Sequence, residues 1–152
     1  MRAIQKILIG LAVTTGLANA ADMAVVVRPD LPINNLTFAD ARKLFLGERQ
    51  FWPKNIRVTL LIRAPVAPER EVVLRTIYQM SEAQFRQYWI AKVFRADVSA
   101  GPKIVYSTEM ATELLFAIPG AVTFMEAGKT PKDLKTLKID GRLPGEKGYS
   151  LR

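Results

Sequence analysis

Residues 25–53 read VVVRPDLPINNLTFADARKLFLGERQFWP. Met23 to Arg28 is rich in β-branched side chains with no polar alternation, the pattern of a strand buried on both faces. Pro29 stops it, and Pro32 to Asn35 is a turn. Thr37 then opens a helix, with Asp40 three residues on as a weak capping partner. Phe38, Ala41, Leu44 and Phe45 fall on one face of that helix, and Gly47 closes it. Trp52 and Pro53 are expected in the following loop. One strand and one helix in thirty residues set the rhythm of the whole chain.

Downstream the rhythm continues. Arg57 to Ile62 is a second strand. Ala64-Pro65-Val66-Ala67-Pro68 is a stiff loop, with Pro68 placed as a first helical residue. Val72, Val73, Ile77 and Met80 give the next helix its apolar stripe. Ser81 to Gln84 is a capping box, so a third helix follows at once, with Phe85, Tyr88, Trp89 and Val93 as its stripe. Ala96 to Pro102 is a loop and Ile104 to Tyr106 a short strand. Ser107 caps a helix from Thr108 to Ile118, which Pro119-Gly120 ends. Ala121 to Met125 and Leu134 to Ile139 are further strands, with a turn at Gly128 to Pro131. Asp140 to Gly148 is a Gly/Pro-rich tail. Strands alternate with helices, there is no internal repeat, and no linker divides the chain. The expectation is one α/β domain over residues 21–152, a mixed sheet flanked by helices.

Upstream, MRAIQKILIGLAVTTGLANA has the layout of an export signal. Arg2 and Lys6 form a positive head, Ile7 to Val13 an apolar run too short to span a bilayer, and Ala18-Asn19-Ala20 a cleavage pattern. Residues 1–20 are therefore expected to be removed after Ala20, leaving a periplasmic protein. The chain has no Cys, so it has no disulfides and no lipid-acceptor thiol, and no membrane anchor is expected. It also has no His, which removes Ser-His-Asp and Cys-His catalysis and imidazole metal sites. No metal and no cofactor are expected. The net charge is +8, but the basic residues are scattered singly, so no nucleic-acid stripe is indicated.

The order of these pieces resembles the periplasmic phosphate-binding proteins of ABC transporters. Leu44-Phe45-Leu46-Gly47 followed by Trp52 is similar to the phrase that ends the family's helix after a hinge strand. LLIRAPVAPEREVV, residues 60–73, stands where the family has its anion-binding loop. AIPGAVTFME, residues 117–126, is similar to its return strand, and LKIDGRLPGEKGYSLR, residues 137–152, to its closing segment. The resemblance implies a type II periplasmic-binding-protein-like domain of a single lobe, since the family has two and residues 21–152 have room for about one. It also implies phosphate or another small oxyanion as ligand, with Arg63 in the position of the family's arginine. Where the family has Ser-Gly-Thr opening a helix, however, this chain has Ala67-Pro68-Glu69. Both hydroxyls are gone, Pro68 removes an N–H donor, and Glu69 brings a negative charge to the anion's place.

Two functional readings follow. One is an exported, non-catalytic solute-binding-like protein with weak anion binding through Arg63 and Arg70. The other is a periplasmic interaction module that has lost its ligand and meets a protein partner or a second copy of itself, with Phe51 and Trp52 as surface candidates. An enzyme has one candidate constellation, Glu109 and Glu113 a turn apart on a helix, and a solvated helical face accounts for that pair more simply.

Overall fold

The computed structural model describes residues 22–152; the expected export signal, residues 1–20, lies outside them. The valine run forms β1 (Met23–Val27), with all five residues buried. It sits inside a six-stranded sheet made with β2 (Asn35–Leu36), β5 (Thr59–Arg63), β6 (Lys103–Val105), β7 (Ala121–Glu126) and β8 (Lys135–Ile139), in the order β2-β8-β1-β7-β5-β6. β1 runs antiparallel to both neighbours, Val25 lying opposite Phe124 on one side and Leu137 on the other. β5 is parallel to β6 and β7, and β2 is parallel to β8, so the sheet is mixed. Both edge strands are short, which limits edge-to-edge pairing.

Strand alternation sends the side chains of β1 to two separate apolar layers. Met23, Val25 and Val27 join Val122, Phe124, Leu137 and Ile139 under α1 (Phe38–Phe45), α2 (Pro68–Val73) and α3 (Glu82–Phe94). Ala24 and Val26 join Leu61, Val105 and Met125 under α4 (Thr108–Ala117). The helix signals in the sequence operate as local chemistry demands. The Thr37 hydroxyl accepts from the Asp40 N–H, and Ser81 and Gln84 complete a reciprocal box. Ser107 caps α4, and Gly47 turns out of α1 at φ +75°. After Val73 the second helix widens into a single π turn, Leu74–Tyr78, ending at Gln79 in the left-handed region. Arg42 of α1 donates to the Ile77 carbonyl there, meeting an acceptor that the irregular turn exposes.

Three sequence expectations are corrected. The strand expected at Arg57–Ile62 is two pieces, β4 (Ile56–Arg57) and β5, broken at Val58, whose N–H turns to the Gln50 carbonyl. Trp52 is not in a loop: it belongs to β3 (Phe51–Trp52), a two-residue ribbon with β4. The α3 stripe leaves the core in its last turns. Phe85 and Trp89 are buried, but Val93 is 41% exposed, with Ile90 and Phe94 more exposed still. Past the Gly/Pro-rich stretch Asp140 to Gly148, which is exposed apart from the half-buried Pro144, the chain returns to the core. Tyr149 and Leu151 are buried, the Leu151 carbonyl accepts from the Met23 N–H, and the Tyr149 hydroxyl donates to the Met23 carbonyl at 2.6 Å. Burial raises the Tyr149 pKa, which keeps that phenol a donor.

Gly120 is where three of these pieces meet. Its carbonyl accepts from the Thr59 N–H at 3.0 Å and from the Trp52 indole N–H at 2.9 Å. A Cβ on Gly120 would lie 1.8 Å from the Arg57 carbonyl oxygen, which is backbone and has nowhere to go. Gly120→Ala is therefore expected to cost about 3 kcal/mol or more, at the upper end of single-residue effects, read as a lowered urea midpoint. A loss below about 1 kcal/mol on that scale would show that the β4–β7 approach is looser than described.

Candidate functional site

β5 delivers Arg63 to the C-terminal end of the sheet, and the Ala64–Ala67 turn leads from it into α2. The turn is closed by the Ala67 N–H on the Ala64 carbonyl, with Pro65 second and Val66 third at φ +77°. Proline followed by a positive φ is the pattern of a type II turn, whose third position favours glycine. Ala67 precedes the helix without a side-chain capping bond, since it has no oxygen to offer. Val66 is 85% exposed, so no packing repays its strained backbone. Val66→Gly is expected to raise stability by about 1 kcal/mol, seen as a higher urea midpoint with an unchanged slope.

The two arginines that the sequence marks as anion contacts are brought together here, and both are already paired. Arg63 Nη1 lies 3.3 Å from Glu69 Oε1. Glu69 is 5% exposed. Arg70, equally buried, grips Glu82 with two bonds of 2.7 and 2.8 Å and donates to the Arg63 carbonyl at 3.0 Å. Its guanidinium also lies 5.0 Å from the centre of the Phe85 ring. Planar, bidentate pairing of this kind fixes an arginine firmly. Arg63 Nε and Glu69 Oε2 are buried with no hydrogen-bond partner among the described residues. The space bordered by Arg63, Glu69, Arg70 and Thr123 is a cavity of about 10 Å³. That is at the lower limit for one water and far short of an oxyanion.

Glu69 is legible in the sequence as the misplaced negative charge. Glu82 is not, because nothing local ties it to a residue twelve positions earlier. The Arg70 hydrogen bonds hold the Glu82 carboxyl below its ordinary value of 4.5. A carboxyl with a lowered folded-state pKa contributes stability that is fully present above that ordinary value. The contribution is lost as pH falls through the lower, folded value. Wild type is expected to lose stability below about pH 4.5 more steeply than Glu82→Gln, as followed by urea midpoints at a series of pH values. Parallel acid limbs for the two proteins would contradict the pairing.

The other marked residues lie elsewhere. Trp52 is 2% exposed, committed to the core through Gly120, with the Arg49 guanidinium 6.0 Å from its ring. Phe51 is 42% exposed, with the Arg57 guanidinium 5.1 Å from its ring. Of that pair only Phe51 presents surface. Glu109 and Glu113 are exposed on α4. Among the described residues there is no group of three acidic, His or Cys side chains able to hold a metal, and no helix is long and apolar enough to cross a membrane.

Comparison of the architecture with solved structures gives one consistent answer. PstS from Borrelia burgdorferi superposes with a TM-score of 0.68 over 86% of this chain at 16% identity. An ABC-type phosphate transport receptor from Vibrio cholerae gives 0.66 over 82% at 18% identity. A Clostridium perfringens protein assigned as a phosphate ABC transporter substrate-binding protein, solved with bound phosphate, gives 0.66 over 81% at 11% identity. The fold is that of the phosphate-binding proteins of ABC transporters. The chain spans about half the length of these structures, 54%, 48% and 46% respectively. No protein-family model and no curated protein matches its sequence.

Proposed function

We propose that the chain is an exported, non-catalytic, phosphate-binding-like domain whose ancestral anion loop is neutralised from within, and that it acts on a protein partner or a second copy of itself. The observation that supports this is the 10 Å³ space at Arg63 and Arg70. The Glu69 carboxylate takes the position that a bound oxyanion needs, and Glu82 takes the second arginine. A carboxylate tethered six residues along the chain, across the turn into α2, is present at high effective concentration, so a free anion must displace it and also part a packed wall. Periplasmic location and a single domain over residues 21–152 belong to the same proposal. They rest on the layout of residues 1–20 and on the match to about half of the solved phosphate-binding structures.

Titration calorimetry with inorganic phosphate tests the loop. Wild type is expected to give no heat at millimolar phosphate, while Glu69→Ala, which frees Arg63 and opens space beside it, gains a measurable signal. Submillimolar binding by wild type that is abolished in Arg63→Ala overturns the neutralised-loop reading. Cross-linking of the exported chain in intact cells tests the partner: a discrete adduct of defined mass is expected, and a monomer without adducts overturns the adaptor role.

A further inference from the structure

A second cavity lies at the other end of β5. Four residues back along the strand from Arg63, about 13 Å at the rise of a β-strand, Thr59 and Leu60 border a cavity of about 240 Å³. Its apolar lining comes from Leu44, Val58, Leu60, Val98 and Trp89. Its polar lining includes Arg49, Arg57 and Lys103, with no Asp or Glu. None of the three cations is in an ion pair with a carboxylate among the described residues. Asp97, which shares an adjoining hollow with Arg57, is paired with Arg95 at 3.0 Å. Arg49 Nε is engaged by the Phe51 carbonyl and Arg57 lies by the Phe51 ring, contacts that hold the two guanidinium groups without neutralising them.

A second observation is independent of charge. Trp89 lines the cavity at 6% exposure, and its indole Nε1 is buried with no acceptor among the described residues. Its ring is seated between two glycines. A Cβ on Gly47 would stand 2.9 Å from the ring's Cη2, and one on Gly101 would touch the Trp89 Cβ at 3.6 Å. The other tryptophan, Trp52, has its acceptor in Gly120. The Trp89 ring thus forms a fixed apolar wall of the cavity, while its N–H is closed off from the space the cavity encloses.

We propose that this cavity binds a carboxylate carried on a short apolar body. The carboxylate pairs with the cationic wall of Arg57 and Lys103, while the body covers Leu60, Val98 and the Trp89 ring. The cavity lies just under the roughly 300 Å³ at which sites for drug-sized ligands begin, so the occupant is the size of a small aromatic or branched aliphatic acid. The same chemistry is offered by a free organic acid and by the C-terminal residue of a peptide. The site is separate from the Arg63 loop and does not rest on the adaptor reading.

The two indole N–H signals of the ¹⁵N-labelled protein make the test, with Trp52 as internal reference. Benzoate is expected to move the Trp89 signal saturably at millimolar concentration or below while the Trp52 signal stays in place. Benzamide, which lacks the charge, and inorganic phosphate, which lacks the apolar body, are expected to bind at least tenfold more weakly. Replacing both Arg57 and Lys103 by Ala, at exposed positions, is expected to weaken benzoate at least tenfold without moving the Trp52 signal. N-acetyl-phenylalanine binding tighter than benzoate identifies a peptide C-terminus as the source, and binding no tighter identifies a free acid. Absence of a saturable Trp89 shift, equal movement of Trp52, or phosphate binding as tight as benzoate overturns the proposal.

Discussion

The structure depends on a strand that is apolar on both of its faces. A valine side chain fully withdrawn from water stabilises by about 1.5–3 kcal/mol, and β1 places three in succession between two apolar layers. Against a typical net stability of about 5–15 kcal/mol, that single run is a large share. It also dictates architecture. A strand with no polar face must be covered on both sides, so α1, α2 and α3 pack on one face and α4 on the other. With both lateral edges of β1 paired, the sheet has to extend in both directions, which it does through β7 and β8.

The electrostatics of β5 divide by end. At its C-terminal end every cation has an internal partner: Arg63 with Glu69, and Arg70 with Glu82. At its N-terminal end the positive charge of Arg49, Arg57 and Lys103 has no such counterweight among the described residues. A low-dielectric wall beside unpaired cations strengthens their field on any anion that enters. The unpaired positive charge therefore lies at the opposite end of the strand from the loop that resemblance marks.

What the sequence reveals divides along the range of the interaction. Thr37, Ser81 with Gln84, Ser107 and Pro68 announce helix starts because a side chain bonds to backbone within three residues, or because a ring fixes its own φ. The double-sided burial of β1 is legible because a run of valines has few other uses. The mixed α/β fold follows from the order of these pieces. Val58 breaks its strand through a bond to Gln50, Trp52 is drawn inward by Gly120, and Arg70 is claimed by Glu82; each depends on residues that composition and periodicity do not connect. The misplacement of Glu69 is readable only against the resemblance. The cavity around Trp89 is built from four separated stretches, and no motif marks it. The two glycines beside the indole are the one trace it leaves, and Gly47 already had a sufficient reason as a helix terminator.

The bond between the Met23 N–H and the Leu151 carbonyl, with the Tyr149 hydroxyl closing over the same residue, also bears on how the chain folds. β1 has no lateral partner until β7 and β8 exist, and its first residue has none until 149–151 arrive. Long-range closure of this kind must pay the chain entropy of the intervening loop before any pairing rewards it, and it slows folding. A polypeptide that emerges N-terminus first from a narrow exit, whether ribosome or translocation pore, cannot complete its most stabilising strand until residues 121–151 have emerged. β1 is among the last strands to become native although it emerges before its partners, so the topology itself keeps this stretch threadable until residues 121–151 are out.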